Sequence, residues 1–264
     1  STELLGGLYR YQGSKDEVTD NYICFGTDNA TTCKENEDTY MYRIIGVTPD
    51  GELKIIKKTE LITMQWWTDL RADVRYPTSL VYQGLNGSTY LTNTTYVPTG
   101  WEEKIETRYW KFGTMTLEDL ESSPETYFFD DMSSWTGEQF YNIEGNFKTG
   151  IESKIGLMYV HDYYYQNESG TCEYDQIYFE GLECLRGWLS IRNNDSTSDG
   201  DEWMITYYDN ANDFGLYNVW RASSGYADPI GNLNNVDGVR PVFYLKSGLT
   251  ISGKGTLESP YMIS

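Results

Sequence analysis

Apolar and aromatic residues recur along this chain at two spacings, and each predicts a different kind of element. Between Asn21 and Lys58 the runs NYICFG, YMYRIIGV and ELKIIKK are short and rich in β-branched and aromatic residues, and Thr48-Pro49-Asp50-Gly51 separates the last two. Proline presets φ at the head of a turn and glycine supplies φ > 0, so YMYRIIGV and ELKIIKK are predicted to pair as a β-hairpin. In TGWEEKIETRYWKFG the spacing lengthens: Trp101, Ile105, Tyr109 and Phe112 recur at helical intervals, and Thr99 and Glu102 stand at capping-box distance. This spacing predicts a helix over 100–111. TSLVYQGLNGSTYL carries a weaker helical pattern, interrupted by Gly84 and Gly87, each of which costs about 1 kcal/mol against alanine inside a helix. It predicts a short helix.

From KIGLMYV onward strand-like runs return: GWLSIR, DEWMITYY, GLYNVWRAS, VRPVFYL and the terminal GLTISG and SPYMIS, between loops rich in Asn, Asp, Gly and Ser. Short strands joined by long loops are how a scaffold presents a binding surface. No Pro/Ser/Gly-rich linker divides the chain and no internal repeat is visible, so residues 1–264 read as one elaborated domain. The expected class is α+β and β-rich.

Composition sharpens this picture. Aromatic residues make up 16% of the chain and 24 residues are Tyr, which favours strands and ordered loops over bundles. A net charge of −20 repels phosphate backbones and anionic lipid, so neither nucleic acid nor a membrane surface is an expected partner. No apolar run reaches the roughly 18–20 residues that span a bilayer, and no basic-then-apolar leader is present. The chain is expected to be soluble, with room for an anchor or leader ahead of Ser1.

The four cysteines fall in two local pairs, Cys24 with Cys33 and Cys172 with Cys184. Neither spacing is that of a redox or zinc motif, and His161 is the single histidine, so two short disulfides are the expected pairing, with free core thiols as the alternative. Disulfides imply an oxidising, extracellular setting. Asn29, Asn86, Asn93, Asn167 and Asn194 head N-x-S/T triplets, which matter only where the source glycosylates them.

The segments YMYRIIGVTPDGELKIIKK, KIGLMYVHDYYY and DEWMIT…GLYNVWRASSGYAD…GVRPVFYLKSG resemble a group of secreted proteins from gut Firmicutes that close on GVRPVxYLKS. Their closing W…GVRP pattern is similar to the C-type-lectin-like fold, in the branch of formylglycine-generating enzymes and the variable proteins of diversity-generating retroelements. The resemblance runs from about Tyr9 to Ile263. It implies a fold of mixed short sheets and about two helices, with the N- and C-terminal strands paired and a loop-rich ligand-binding face. It also implies that Trp203 is a core anchor and Arg240 a partly buried cation bonding loop carbonyls. In the diversified proteins variable positions precede the GxRP segment and are dominated by Asn, Asp, Tyr and Ser; here those types fill 16 of the 31 positions from Tyr207 to Asp237.

Most catalytic chemistry lacks its parts. Formylglycine-generating catalysis needs a reactive cysteine pair and related iron oxygenases need several histidines, so the resemblance carries fold without activity. His161 is expected to play a hydrogen-bonded structural part. Asp130 with Asp131, or Asp201 with Glu202, could be nominated as a glycosidase pair, but a solvated acidic surface is the expected role of both. NNDSTSDGDEW opens like a calcium loop, yet Thr206 stands where the bidentate Glu of an EF-hand belongs. A looser calcium site from Asp195, Asp199 and Asp201 is the alternative to a plain charged loop. No nucleotide-binding or nucleophile-elbow motif is present.

What remains is a surface. Tyr207, Tyr208, Tyr217, Trp220, Arg221 and Tyr226 are interleaved with Asn210, Asn212, Asn218, Asn232 and Asn234. Tyr, Trp and Arg offer large contact areas at low entropic cost, while Asn offers adaptable hydrogen bonds. The expected function is recognition of a protein or glycan on another cell or surface through loops over 207–237. A filament subunit and an extracellular glycan-degrading enzyme are the alternatives.

Overall fold

The computed structural model describes residues 4–11, 19–67, 75–112, 114–116, 137–166, 188–189, 201–209, 218–223 and 226–264. At 114–116, 207–209, 218, 220, 223 and 226–232 the description is limited to the backbone. In chain order the first strands are β1 (Leu4–Leu5), β2 (Leu8–Arg10), β3 (Tyr22–Cys24), β4 (Met41–Val47), β5 (Leu53–Lys57), β6 (Ile62–Gln65), β7 (Ile105–Glu106), β8 (Arg108–Lys111) and β9 (Thr114–Thr116). They continue as β10 (Gly150–Ser153), β11 (Ile155–Gly156), β12 (Glu202–Asp209), β13 (Asn218–Ser223), β14 (Tyr226–Asn232), β15 (Val236–Val239), β16 (Val242–Leu245), β17 (Ile251–Ser252) and β18 (Met262–Ile263). The helices are α1 (Ala30–Glu35), α2 (Glu37–Tyr40), α3 (Leu80–Leu85), α4 (Gly137–Asn146) and α5 (Val160–Tyr164). The protein is thus α+β and strand-rich, built on several short sheets, with more helices than the two the resemblance implied.

The predicted hairpin forms. β4 and β5 pair antiparallel from Tyr42 with Lys57 to Val47 with Leu53, and Gly51 closes the turn at φ +87° with its amide donating to the Thr48 carbonyl at 2.9 Å. Ile44, Ile45, Ile55 and Ile56 are all buried, so both faces of the pair are covered. β16 lies beside β5, and the full sheet runs β1-β2-β4-β5-β16-β11, with β3 added at β4 and β7 at β16. The terminal strands do not pair directly: β1 pairs only with β2, and β17 and β18 form a sheet of their own. The C-terminal segment instead meets β3, whose Tyr22 carbonyl and Cys24 amide bond the Tyr261 backbone at 2.8 and 2.9 Å.

The helix predicted over 100–111 does not form. A single 3-10 turn at Glu102–Lys104 gives way to β7 and then to β8, which pairs with β10. The decisive pattern is alternation: Tyr109 is exposed while Trp110 and Phe112 are buried, a period of two that the every-fourth-residue reading overlooked. Trp110 fills the space over β11, where a Cβ on Gly156 would lie 2.3 Å from its ring. KIGLMYV likewise holds only the two-residue strand β11 before the chain turns into α5. The short helix in TSLVYQGLNGSTYL is α3, opened by Ser79, whose hydroxyl accepts the Tyr82 amide at 3.0 Å.

A second sheet runs β14-β13-β12-β15-β6, with β9 parallel to β12. Trp203 of β12 is fully buried, donates its indole N–H to the Met64 carbonyl at 2.8 Å and meets Trp66 edge-on at 5.7 Å. One apolar cluster, containing Ile44, Ile55 and Phe243 of the first sheet and Trp203, Ile205 and Val239 of the second, joins the two. Cys24 and Cys33 form a disulfide with Cα atoms 6.1 Å apart, tying α1 to β3; Cys172 and Cys184 lie outside the described residues. No described helix is long and apolar enough to cross a membrane.

Candidate functional site

Lysine in the buried strand β5 requires a counter-charge, and Lys54 finds it in Asp162 of α5. Oδ2 of Asp162 accepts the Tyr159 amide at 3.0 Å, capping the helix, and also takes Nζ of Lys54. Oδ1 accepts Nη2 of Arg10, from β2, at 2.8 Å. All three side chains are buried. Burial by itself would raise the Asp162 carboxyl, but Lys54, His161 and Arg10 outweigh it and hold the group well below the usual carboxylate range.

Glu144 of α4 is the second buried carboxylate. It accepts the backbone amides of Val160 and His161 at 3.0 and 3.1 Å, takes the Thr206 hydroxyl of β12, and lies 2.6 Å from Nδ1 of His161. Nε2 of the same ring is 3.6 Å from Asp162 Oδ1, so both imidazole nitrogens face carboxylates. The imidazole stacks on Tyr159 at 5.1 Å and meets Tyr141 edge-on at 5.2 Å. His161 therefore ties α5 to α4, while Asp162 ties α5 to β2 and β5 of the first sheet.

Above this charged floor opens a cavity of about 250 Å³. Tyr141, Tyr159 and Tyr244 wall it, with Tyr109 at the rim, 52% exposed. Burial, reinforced by Tyr244 and Glu144, pushes the Tyr159 hydroxyl well above its ordinary pKa, so it stays a neutral donor to the Lys111 carbonyl at 2.8 Å. Arg108 of β8 lies over the Tyr244 ring at 4.8 Å and pairs with Glu52, while Nζ of Lys111 donates to the Gly145 carbonyl. The β1–β2 turn closes one side through Gly6 and Gly7, with φ of +57° and +75°. A two-residue turn of the type I′ kind needs positive φ at both positions, and a Cβ on Gly6 would stand 2.6 Å from the Tyr165 ring. The cavity thus combines aromatic walls with charged side chains that internal bonds hold in place.

The residues singled out from the sequence lie elsewhere. Tyr207 and Tyr208 are in β12, Asn218, Trp220 and Arg221 in β13, and Tyr226 and Asn232 in β14, so the strand-like runs DEWMITYY and GLYNVWRAS form β12 and β13, and part of the connecting stretch expected to be loop is a third strand of the same antiparallel meander. Strand pairing satisfies the backbone of β14, whose Asp, Pro, Gly and Asn read as loop. Asn210, Asn212 and Tyr217 lie outside the described residues. Arg221 pairs with Asp201 at 2.6 Å and stands 3.8 Å from Asp237, and Asn234 is exposed, its carbonyl accepting Nε2 of Gln65 at 2.9 Å. Asp201, a calcium candidate, is thus engaged by a guanidinium; Asp195 and Asp199, like Asp130 and Asp131, lie outside the described residues. Among the described residues no three His, Cys, Asp or Glu side chains converge as a metal site.

Arg240 is buried and donates to the Leu189 carbonyl at 2.7 Å, and Nε and Nη2 both reach the Glu202 carboxylate at 2.8 Å. Glu202 is only 2% exposed, which overturns the expectation of a solvated acid there: a buried guanidinium needs a carboxylate beside it. Burial raises the Glu202 pKa against the opposing pull of Arg240. The reading of the sequence missed Arg10, Lys54, Glu144, Asp162 and the cavity tyrosines. One signal was available: Tyr159-Val160-His161-Asp162 has the spacing of a helix cap.

Comparison with family models, curated proteins and solved structures finds no match for this chain.

Proposed function

We propose that this chain is an extracellular recognition domain that binds a saccharide in the tyrosine-walled cavity between the β1–β2 turn, β8, α4 and α5. The observation that carries the proposal is the set of four tyrosines, Tyr109, Tyr141, Tyr159 and Tyr244, around one small void whose polar groups are held in place by internal bonds. Tyrosine faces stack on sugar rings while hydroxyls and cations fix orientation, and a prearranged site loses little entropy on binding. Binding is favoured over turnover because both nitrogens of His161 face carboxylates and Glu144 is saturated by donors, so neither is poised as a general base. The Cys24–Cys33 disulfide supports an extracellular setting. Kinship with lectin-like surface proteins is part of this proposal and rests on the closing segment, in which Trp203 and Arg240 are buried.

The test is a glycan-array screen followed by calorimetry. Tyr109→Ala, at an exposed position that the fold tolerates, should abolish binding, while Tyr217→Ala and Trp220→Ala should leave it unchanged. The reverse outcome moves the binding surface to the Tyr207–Asp237 stretch, and absence of any glycan ligand overturns the proposal.

A further inference from the structure

Three cations, Lys54, Arg108 and Lys111, and one carboxylate, Glu144, line the cavity, while Asp162 and Glu52 pair with Lys54 and Arg108. Each of these carboxylates is already engaged. Asp162 serves Arg10 and Lys54 together, Glu52 serves Arg108, and Glu144 accepts two amides, the Thr206 hydroxyl and the His161 ring. Lys111 is different. Its ammonium donates to a backbone carbonyl, that of Gly145, and faces no carboxylate among the described residues. A neutral carbonyl is the weaker partner for an ammonium group, since hydrogen bonds between two ionised groups are roughly twice as strong as neutral ones. A ligand carboxylate arriving at the rim would therefore displace the carbonyl with a gain.

The acidic surface elsewhere does not forbid this. At physiological salt, charges farther away than about 8 Å are largely screened, whereas a concave wall of low dielectric concentrates the field of the cations that line it. Size sets a further bound, because about 250 Å³ falls below the range of about 300–1,000 Å³ typical of drug-sized sites and suits one sugar unit or a chain end.

We propose that the cavity selects saccharides bearing a carboxylate, of the uronic-acid type, with the sugar ring against Tyr109 and the carboxylate on Lys111. This inference rests on the sugar-binding reading above and adds the charge of the ligand to it. Neutral sugars make no ion pair with Lys111, so charge becomes the basis of selection.

The experiment is titration calorimetry on the full chain with the methyl glycosides of glucuronic and galacturonic acid, their uncharged glucose and galactose counterparts, and acetate. At least one uronide should bind tenfold or more tightly than its neutral counterpart, and 0.5 M NaCl should shrink that ratio several-fold. Lys111→Met, which keeps the aliphatic stem, should bring the ratio close to one, with an unchanged thermal midpoint as the control for folding. Equal affinity for acidic and neutral sugars, or a ratio untouched in Lys111→Met, overturns the charge selection while sugar binding stands. Acetate competing as well as the uronides overturns the saccharide part of the claim, and binding of none of the sugars overturns this inference together with the reading beneath it.

Discussion

Oε2 of Glu144 lies 2.6 Å from Nδ1 of His161, and the same carboxylate accepts the amides of Val160 and His161, so one side chain of α4 secures the first turn of α5. Thr206 of β12 adds a fourth donor. Removing the acceptor would strand four buried donors at once. Breaking a buried, hydrogen-bonded charge costs about 3–5 kcal/mol. Glu144→Ala should therefore lower the thermal midpoint by on the order of 10 °C at about 2–4 °C per kcal/mol. Glu144→Gln, which keeps one acceptor oxygen, should fall between. Calorimetric melting curves check both, and a midpoint within 2 °C of the parent for Glu144→Ala would show that the carboxylate is dispensable.

Asp162 gives the stability of the protein a defined acid limb. Its folded-state pKa is held well below the ordinary value of about 3.9 by Lys54, His161 and Arg10, against the effect of burial. Below about pH 4 the unfolded chain takes up a proton that the folded chain refuses. The stabilisation is thus complete above that pH and drains away as pH falls toward the folded value. Urea midpoints between pH 5 and 2.5 should decline less steeply in Asp162→Asn than in the parent, and the variant should already be less stable at pH 7. Parallel acid limbs would refute the assignment.

On the alkaline side a lowered lysine has the same sign. Burial lowers the Lys57 pKa from 10.5 to about 8, although Asp38 pulls it upward. Between those two values the unfolded chain keeps a proton that the folded chain has lost, so stability rises with pH, by about 3 kcal/mol at 1.36 kcal/mol per unit. Above about pH 10 the buried hydroxyls of Tyr42, Tyr76 and Tyr90, all raised by burial, reverse the trend, because only the unfolded chain then ionises them. Guanidinium midpoints in the parent should climb from pH 8 to about 10 and then drop. Lys57→Met should erase the climb and keep the drop.

How much of this was legible in the chain depends on sequence distance. The β4–β5 hairpin could be read because the apolar runs and Thr48-Pro49-Asp50-Gly51 are adjacent and each fixes its own geometry. The 100–111 segment could not be decided locally: Trp101, Ile105 and Tyr109 fit a helix, while Tyr109, Trp110, Lys111 and Phe112 fit a strand, and pairing with β10 chose between them. The cavity was out of reach for a different reason. Arg10 and Lys54 stand 152 and 108 residues from Asp162, and nothing in the composition around either shows that they converge. In the aromatic and Asn-rich stretch from Tyr207 the runs DEWMITYY and GLYNVWRAS were legible as β12 and β13, whereas the Asp, Pro, Gly and Asn of β14 gave no strand signal, and pairing with β13 decided it.

The last prediction concerns the disulfide. Cys24 and Cys33 are nine positions apart, and both sulfurs are buried beside Met41. Cross-linking a loop of about ten residues removes unfolded-state entropy worth about 2.5–3 kcal/mol in the chain-entropy account. The bond also ties α1 to β3, whose backbone holds Tyr261 of the C-terminal segment. Loosening α1 should therefore reach the end of the chain. Cys24→Ser with Cys33→Ser should lower the thermal midpoint by about 5–10 °C and raise hydrogen exchange at the Tyr261 and Cys24 amides before that of β5. Reductant should reproduce the effect in the parent only after partial unfolding, since the native bond is shielded. A double variant whose exchange rises uniformly across β5 and β3 alike would mean that the disulfide stabilises the domain as a whole, without a special hold on the C-terminal segment.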